Sequence, residues 1–435
     1  MNHNYVARLL GHLRTPLYRN SYALMVSTAL GSALGLVYWM LAARFYPSDV
    51  VGLNSAAVSV MIFLSGVAQF NLMSAMIRFI PNAGGATRQL VGSAYLVSLS
   101  MSVLVGAVFL LGVNIWSPSL GFLRTNPWLI LWFILGIMAW SVFALQDNVL
   151  TGLRQTIWVP IENILYAGVK IVLLITFASS LTTYGIFASW TAPLIAALIP
   201  INLLIFRRFI PRHVTATHDQ AVPLEPRQIA HFVAGNYVAQ LFFLASSRLL
   251  PLVVLYAAGA SANAYFFLPW TIAFAIKLMI NDMVMSLTVE GVSKQSSLAI
   301  YSYEFLLHIV RLSLPMIAVV LVSAPYILRL SGNDYAAEGT ALLRLLTLSV
   351  IPSIFTSLYI GIARVGRRVG GIIAAQGALS TLIIGLSFGF LRMDGITGIG
   401  WAVVVSESIV AIVVMLTQLR PLFRAARSLP GKSSS

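Results

Sequence analysis

The chain of 435 residues is 59% hydrophobic and only 9% charged, carries a net charge of +15 and contains no cysteine. Soluble domains hold about 25% charged residues, so this sequence cannot cover its apolar side chains with a polar surface and reads as an all-α integral membrane protein. The missing thiols exclude disulfides, thiolate catalysis and thiolate metal sites. The basic residues are scattered in small groups between apolar runs, without a stripe of interleaved aromatics, which argues against nucleic acid as a partner.

Runs of about 20 apolar residues mark membrane-spanning helices, because each residue rises about 1.5 Å through a hydrocarbon core about 30 Å thick. The first run, 20–43, is too long for a signal-peptide core of about 7–15 residues and is expected to be a retained helix. It is followed by 52–76, 89–113, 127–150, 157–178 and 184–206, and then by a polar linker over 207–228. Six more runs follow at 229–257, 262–287, 303–324, 339–362, 367–390 and 396–418, ahead of a basic tail over 420–435. Twelve spans place both termini on one side. Of the lysines and arginines in loops or at the very ends of spans, eighteen fall on that side, and only Arg44, Arg124, Arg329 and Arg392 fall on the other. Cytoplasmic loops carry such an excess, so the termini and the linker are expected in the cytoplasm. The basic tail would also attract anionic membrane lipids.

The linker divides the chain into an N-lobe, 1–206, and a C-lobe, 229–419, and an offset of about 210 residues relates them. Tyr46 then falls near Tyr256 and Gly152 near Gly361, a basic turn follows the fourth and tenth spans, and glycine opens the sixth and twelfth (TTYGIF, DGITGIG). Each half has an even number of spans, so the repeats are parallel, related by an axis along the membrane normal. Two-lobed transporters that rock about a site between the lobes share this arrangement. Pro251, Pro269, Pro315 and Pro352 interrupt the seventh to tenth spans, where each can bend its helix. Gly31/Gly35 and Gly385/Gly389 carry the spacing of close-packed helix contacts.

Five bases lie inside spans: Lys170, Arg248, Lys277, Arg311 and Arg344. Unrelieved, they would cost on the order of 12–18 kcal/mol together. Arg311 and Arg344 sit near helix ends and can snorkel to an interface, and Glu304, His308 and Arg311 share one face. Lys170 is expected either to pair with Glu162 or Asp147 or to meet substrate. Arg248, in LFFLASSRLLPLVVLY (241–256), and Lys277 lie deeper, beside the polar stripes Asn236, Gln240, Ser247 and Lys277, Asn281. Asp282 and Glu407 are the nearest acids. Glu407 reads either as a structural ion-pair partner in its own lobe or, with Asp282, as a candidate for coupling transport to a proton or sodium ion. Fixed cations in a low-dielectric cleft attract an anion, and arginine's planar fork suits phosphate, so Arg248 and Lys277 are expected to receive a phosphate-bearing substrate.

The segments ARFYPSDVVGLNSAAVSVMIFLSGVAQFNLMSAMIRFIP (43–81) and LRLSGNDYAAEGTALLRLLTLSVIPSIFTSLYIGIARVGR (328–367) resemble the polysaccharide-transporter (Wzx-like flippase) branch of the multidrug/oligosaccharidyl-lipid/polysaccharide (MOP) exporter superfamily. The resemblance implies two six-helix lobes around a central cationic cavity. It also implies a cargo of oligosaccharide on a polyprenyl diphosphate, such as an O-antigen, capsule or exopolysaccharide repeat unit. Cavity-lining spans one, two, seven and eight would place Arg248, Lys277 and Arg78 at the diphosphate. The implied membrane is the cytoplasmic one of a bacterium or archaeon, with polymerase or glycosyltransferase partners. The drug-exporting (MATE) branch is the alternative; its members commonly carry embedded acids, whereas 21–43 contains none. An intramembrane polymerase or ligase would need a sizeable external loop, and none of the loops assigned to that side exceeds about twenty residues. No GxxxxGK[ST] motif is present, so ATP is not expected as direct energy source, and no cofactor or metal is implied.

Overall fold

The structure is a computed structural model that describes residues 16–217, 225–293, 298–422 and 424, with the side chains of all but 16–29, 285–301 and 304. The expected basic tail beyond 424, Lys294 and the Glu304 carboxylate fall outside this description. Among the described residues all regular structure is helical. The first half comprises α1 (Pro16–Phe45), α2 (Ser48–Ala68), α3 (Leu72–Phe79), α4 (Thr87–Trp116), α5 (Pro127–Gly152), α6 (Trp158–Ser180), α7 (Gly185–Leu204) and α8 (Ile210–Thr217). The second comprises α9 (Pro226–Arg248), α10 (Leu250–Ala258), α11 (Ala260–Ser293), α12 (Leu298–Arg329), α13 (Asn333–Leu348), α14 (Val350–Val365) and α15 (Val369–Val414).

Ten helices among the described residues are long and apolar enough to cross a membrane. The expected number was twelve, and the difference has two sources. The first span has described side chains only from Leu30, and the last two run on as one apolar segment, Val369–Leu422. A straight helix of 54 residues would be about 80 Å long. Instead α15 turns at Asp394 and at Gly395, whose φ of 55° and ψ of −145° only glycine adopts without strain. The glycine of DGITGIG is therefore the bend itself. α4 and α12 are strongly apolar yet little buried: Leu96, Leu111, Ile115, Val319 and Val322 are each at least 64% exposed. Apolar surface on this scale requires a non-aqueous cover, which makes the chain a multi-pass membrane protein.

Packing divides the chain into two compact units, Met1–Tyr46 with Val60–Tyr237 and Pro47–Ser59 with Val238–Ser435. Met76, Ile80, Val91, Leu145 and Ile205 centre the main core of the first. Phe266, Ile309, Leu342, Leu358 and Ile399 centre the second.

The internal duplication appears in backbone detail. α7 continues into α8 through a π-helical turn, Ile205–Phe209, and α15 ends in another, Met415–Leu419, 210 residues later. Residues 207–217 of the expected linker are thus helical. α5 and α14 are each followed, two residues past their last helical residue, by an arginine at positive φ, Arg154 (59°) and Arg367 (53°). In both turns the next amide closes back on the helix at 2.8 Å, Gln155 N to Leu150 O and Arg368 N to Ala363 O. These turns lie 213 residues apart, so Val365, not Gly361, is the counterpart of Gly152 here.

Two expected spans are broken. The run 52–76 stops at Ala68 because Phe70 (φ 47°) and Asn71 (φ 59°) take the left-handed conformation. The carbonyl of Val67, at the frayed end of α2, accepts a hydrogen bond from the Tyr237 hydroxyl at 2.7 Å. The run 229–257 breaks at Leu249, between Arg248 and Leu250. Pro251 has no N–H for the Ser247 carbonyl, and Trp270 Nε1 of α11 donates to that oxygen at 3.2 Å instead. The same device recurs at Pro325, where Arg344 Nε donates to the Leu321 carbonyl at 3.1 Å. Arg344 and Arg311 are exposed. No neighbour outside their own helical turns lies within 4 Å of a Cβ built on Gly31, Gly35, Gly385 or Gly389. Among the described residues, therefore, the close contacts expected at those glycines do not occur.

Candidate functional site

Embedded charged and polar side chains gather at several places, each within one unit. In the second unit, Lys277 Nζ and Glu407 Oε1 form a salt bridge of 2.7 Å. They line a cavity of about 70 Å³ beside the α9 break, together with Ser246, Asn281, Thr356 and Gln376. That volume holds several waters at about 10–15 Å³ each, and the unpartnered Glu407 Oε2, Thr356 Oγ1 and Gln376 Oε1 are acceptors for them. Lys277 retains donors beyond its ion pair. Asp282 is exposed and does not line this cavity.

Arg248 ends α9, where Pro251 prevents the helix from continuing regularly. Its guanidinium lies 5.2 Å from the centre of the Phe274 ring. Among the described residues no carboxylate pairs with it, and its side chain is only partly exposed. A cation held against an aromatic face keeps all five N–H donors available. Because Trp270 holds the Ser247 carbonyl at this break, Trp270→Phe leaves a buried oxygen unpaired. It is expected to lower stability by about 1–3 kcal/mol, read as a fall in the thermal midpoint of the purified protein.

In the first unit, the break between α2 and α3 opens onto an apolar groove of about 550 Å³. Phe70, Leu72 and Met76 form one wall, Leu90 and Val97 of α4 a second, and Val233 and Tyr237 of α9 the third. Arg78 lies at the same α3–α9 crossing, its guanidinium 4.5 Å from the centre of the Phe232 ring. A groove of this size falls within the range of ligand sites, about 300–1,000 Å³. It was not foreseen from the sequence: FNL (70–72) looks like any stretch of an apolar span, and positive φ at Phe70 leaves no compositional mark.

Lys170 is not paired with Glu162 or Asp147. It is buried, with its ammonium 3.8 Å from the centre of the Trp190 ring and 4.8 and 4.9 Å from those of Tyr38 and Tyr166. Cation–π attraction takes the place of an ion pair. The two acids belong to a separate cluster, at the ends of α5 and α6.

No family model matches the sequence. No curated protein matches it either. Solved structures do. The chain superposes on an inward-facing multidrug resistance MATE family transporter of the MOP superfamily with a TM-score of 0.67 at 16% identity, covering 94% of this chain and 100% of that one. A Vibrio cholerae MATE transporter, VcmN, in mutant form, gives 0.57 at 12% identity over 95% and 97%. A MOP superfamily transporter from Pyrococcus furiosus, described as having a binding pocket of reverse polarity that suggests a different function, gives 0.56 at 14% over 96% and 98%. The fold is that of MATE/MOP transporters.

Proposed function

We propose that this protein is a flippase that exports a polyprenyl-diphosphate-linked oligosaccharide across the cytoplasmic membrane by alternating access. Two lobes, 1–206 and 229–419, would rock about the cargo, with the linker and both termini in the cytoplasm. The observation that carries this reading is Arg248: a permanent cation within a membrane span, at a helix break, with no carboxylate partner among the described residues. Such a charge is costly in lipid and is relieved by an anionic cargo. An apolar groove and, outside its lining, the Arg78 cation over Phe232 support the same class of ligand, an amphiphile with a hydrocarbon tail and a negative head. The polymerase or glycosyltransferase that handles the glycan is the implied partner.

Arg248→Gln removes charge-assisted bonds worth about 1.5–3 kcal/mol, so glycan export is expected to fall roughly 10- to 100-fold while the protein inserts normally. Arg248→Lys keeps the charge but loses the fork and should be intermediate. Surface labelling of the exported glycan in cells reads both, and wild-type export by Arg248→Gln would sink the assignment. A MATE-type drug/cation antiporter is the second reading. It is favoured by the buried acids of α5 and α6, and drug resistance without glycan export in cells producing the chain would select it.

A further inference from the structure

The two units differ at one place where their backbones repeat. In the first, Leu150, Leu153 and Phe209 are buried in one core between the end of α5 and the π-helical turn Ile205–Phe209. The Trp158 ring packs 5.8 Å from that of Phe209. The repeat offsets, 213 residues at the arginine turn and 210 at the π-helical turn, give Ala363, Gly366, Gly371 and Leu419 as the counterparts of Leu150, Leu153, Trp158 and Phe209. All four are smaller. In place of the packed core the second unit has a cavity of about 120 Å³, with Ala363, Gly366 and Leu419 in its wall.

The polar side chains of this cavity are a second, independent feature. They are Tyr359 of α14, Arg368 of the following turn and Gln418 of the π-helical turn Met415–Leu419. Tyr359 is buried, and its hydroxyl rests over Gly371, where a Cβ would collide with it. Gln146, its counterpart in the first unit, is engaged, donating to Glu162 Oε1 and accepting from Asn202 Nδ2. Among the described residues the Tyr359 hydroxyl, the Arg368 guanidinium and the Gln418 amide have no hydrogen-bond or ion-pair partner. Arg368 Nε lies 3.7 Å from the Cβ position of Gly366, so the guanidinium stem folds back over the cavity wall. The neighbouring charges have one sign. Arg367 and Arg420 are exposed beside it, and no Asp or Glu occurs over 339–393 or 408–435.

Membrane topology alone accounts for the sign of these bases. It does not account for a space left open by four smaller residues and lined by three unpartnered donors, since an unfilled void costs stability. We propose that this cavity binds a phosphate group, held by the fork of Arg368 and by the Tyr359 hydroxyl and Gln418 amide as further donors. The phosphate belongs either to the headgroup of an anionic membrane lipid, which basic pockets between membrane helices bind, or to free inorganic phosphate. The site shares no residue with the cavity at Lys277, and its assignment does not depend on the cargo.

The test is thermal unfolding of the full chain, purified in detergent, under two comparisons: sodium phosphate against sodium chloride at equal ionic strength, and micelles doped with phosphatidylglycerol against phosphatidylcholine. Wild type is compared with Arg368→Gln, with Leu419→Phe, which returns the counterpart ring to the cavity, and with Arg88→Gln, an exposed base of the first unit that serves as control. A rise in the wild-type midpoint of at least about 2–4 °C with phosphatidylglycerol and not with phosphate assigns a lipid headgroup. The same rise with inorganic phosphate assigns the free anion. In either case Arg368→Gln needs about three- to tenfold more ligand for the same shift, Leu419→Phe loses the shift and Arg88→Gln keeps it. A general salt effect moves all four proteins alike, and that outcome overturns the proposal, as does a wild-type midpoint that neither phosphate nor phosphatidylglycerol raises. Should Leu419→Phe fail to fold, the exposed Arg368→Gln decides: a response equal to that of Arg88→Gln overturns the site.

Discussion

Glu407→Gln and Lys277→Met are each expected to destabilise the protein by about 3–5 kcal/mol, whereas the double variant should cost less than either alone. The reason is desolvation. The two charges touch at 2.7 Å with side chains only 14% and 5% exposed, so removing one strands the other in a poorly solvated site. Removing both leaves a neutral cavity that still carries Ser246, Asn281 and Gln376 to hold water. Thermal midpoints of the four proteins measure the coupling. Strict additivity of the two losses would show that the pair is not an energetic unit. Export by the folded double variant separates the two roles considered for Glu407. Wild-type export makes the ion pair structural, whereas loss of export from a stable protein means that cargo or ion exchanges with the pair.

This outcome also bears on Arg248. If Lys277 is neutralised permanently by Glu407, Arg248 is left as the principal uncompensated cation of α9 to α11, and the anion-binding role falls to it. If the pair opens during transport, Lys277 and Arg248 act together, since Lys277 lies one turn beyond the Phe274 against which the guanidinium rests. The ion pair would then hold the lysine in reserve until an anion competes for it.

Most of the architecture was legible because it rests on quantities that sequence carries directly. Hydropathy marked the spans, proline marked the α9 break through Pro251, and the DGITGIG glycine marked the bend in α15. The repeat was visible only as faint spacing, yet it returns as paired π-helical turns and paired left-handed arginines, which depend on backbone geometry more than on side-chain identity. The site was less legible. Glu407 lies 130 residues from Lys277, and nothing local to either states that they meet. Asp147 and Glu162 were matched to Lys170 by sign of charge, but three aromatic rings already surrounded that ammonium. A better signal was present in Gln146-Asp147-Asn148 and Glu162-Asn163. Consecutive polar residues in an apolar span indicate a shared network more than a single salt bridge.

Gly52→Ala is expected to be among the most damaging single substitutions in the chain, costing more than about 4–5 kcal/mol, the range reserved for severe core defects. Within the second unit, the first half of α2 lies against the start of α11 with backbone on backbone. A Cβ on Gly52 would stand 1.7 Å from the Ala260 carbonyl oxygen, 2.6 Å from its carbon and 3.1 Å from Ala264 N. None of these atoms can rotate away, so the helices must separate by on the order of 1–2 Å to reach ordinary contact. Separation breaks the bonds from Asn263 Nδ2 to the Gly52 carbonyl at 2.7 Å and to Ser55 Oγ at 3.2 Å, at a site where both residues are buried. Gly385→Ala is the control, since nothing beyond its own helical turn lies within 4 Å of its Cβ position, and alanine there gains helix propensity of up to about 1 kcal/mol. Comparison of folded yield and thermal midpoint decides: a Gly52→Ala protein as stable as Gly385→Ala would mean that the two helices do not meet at this distance.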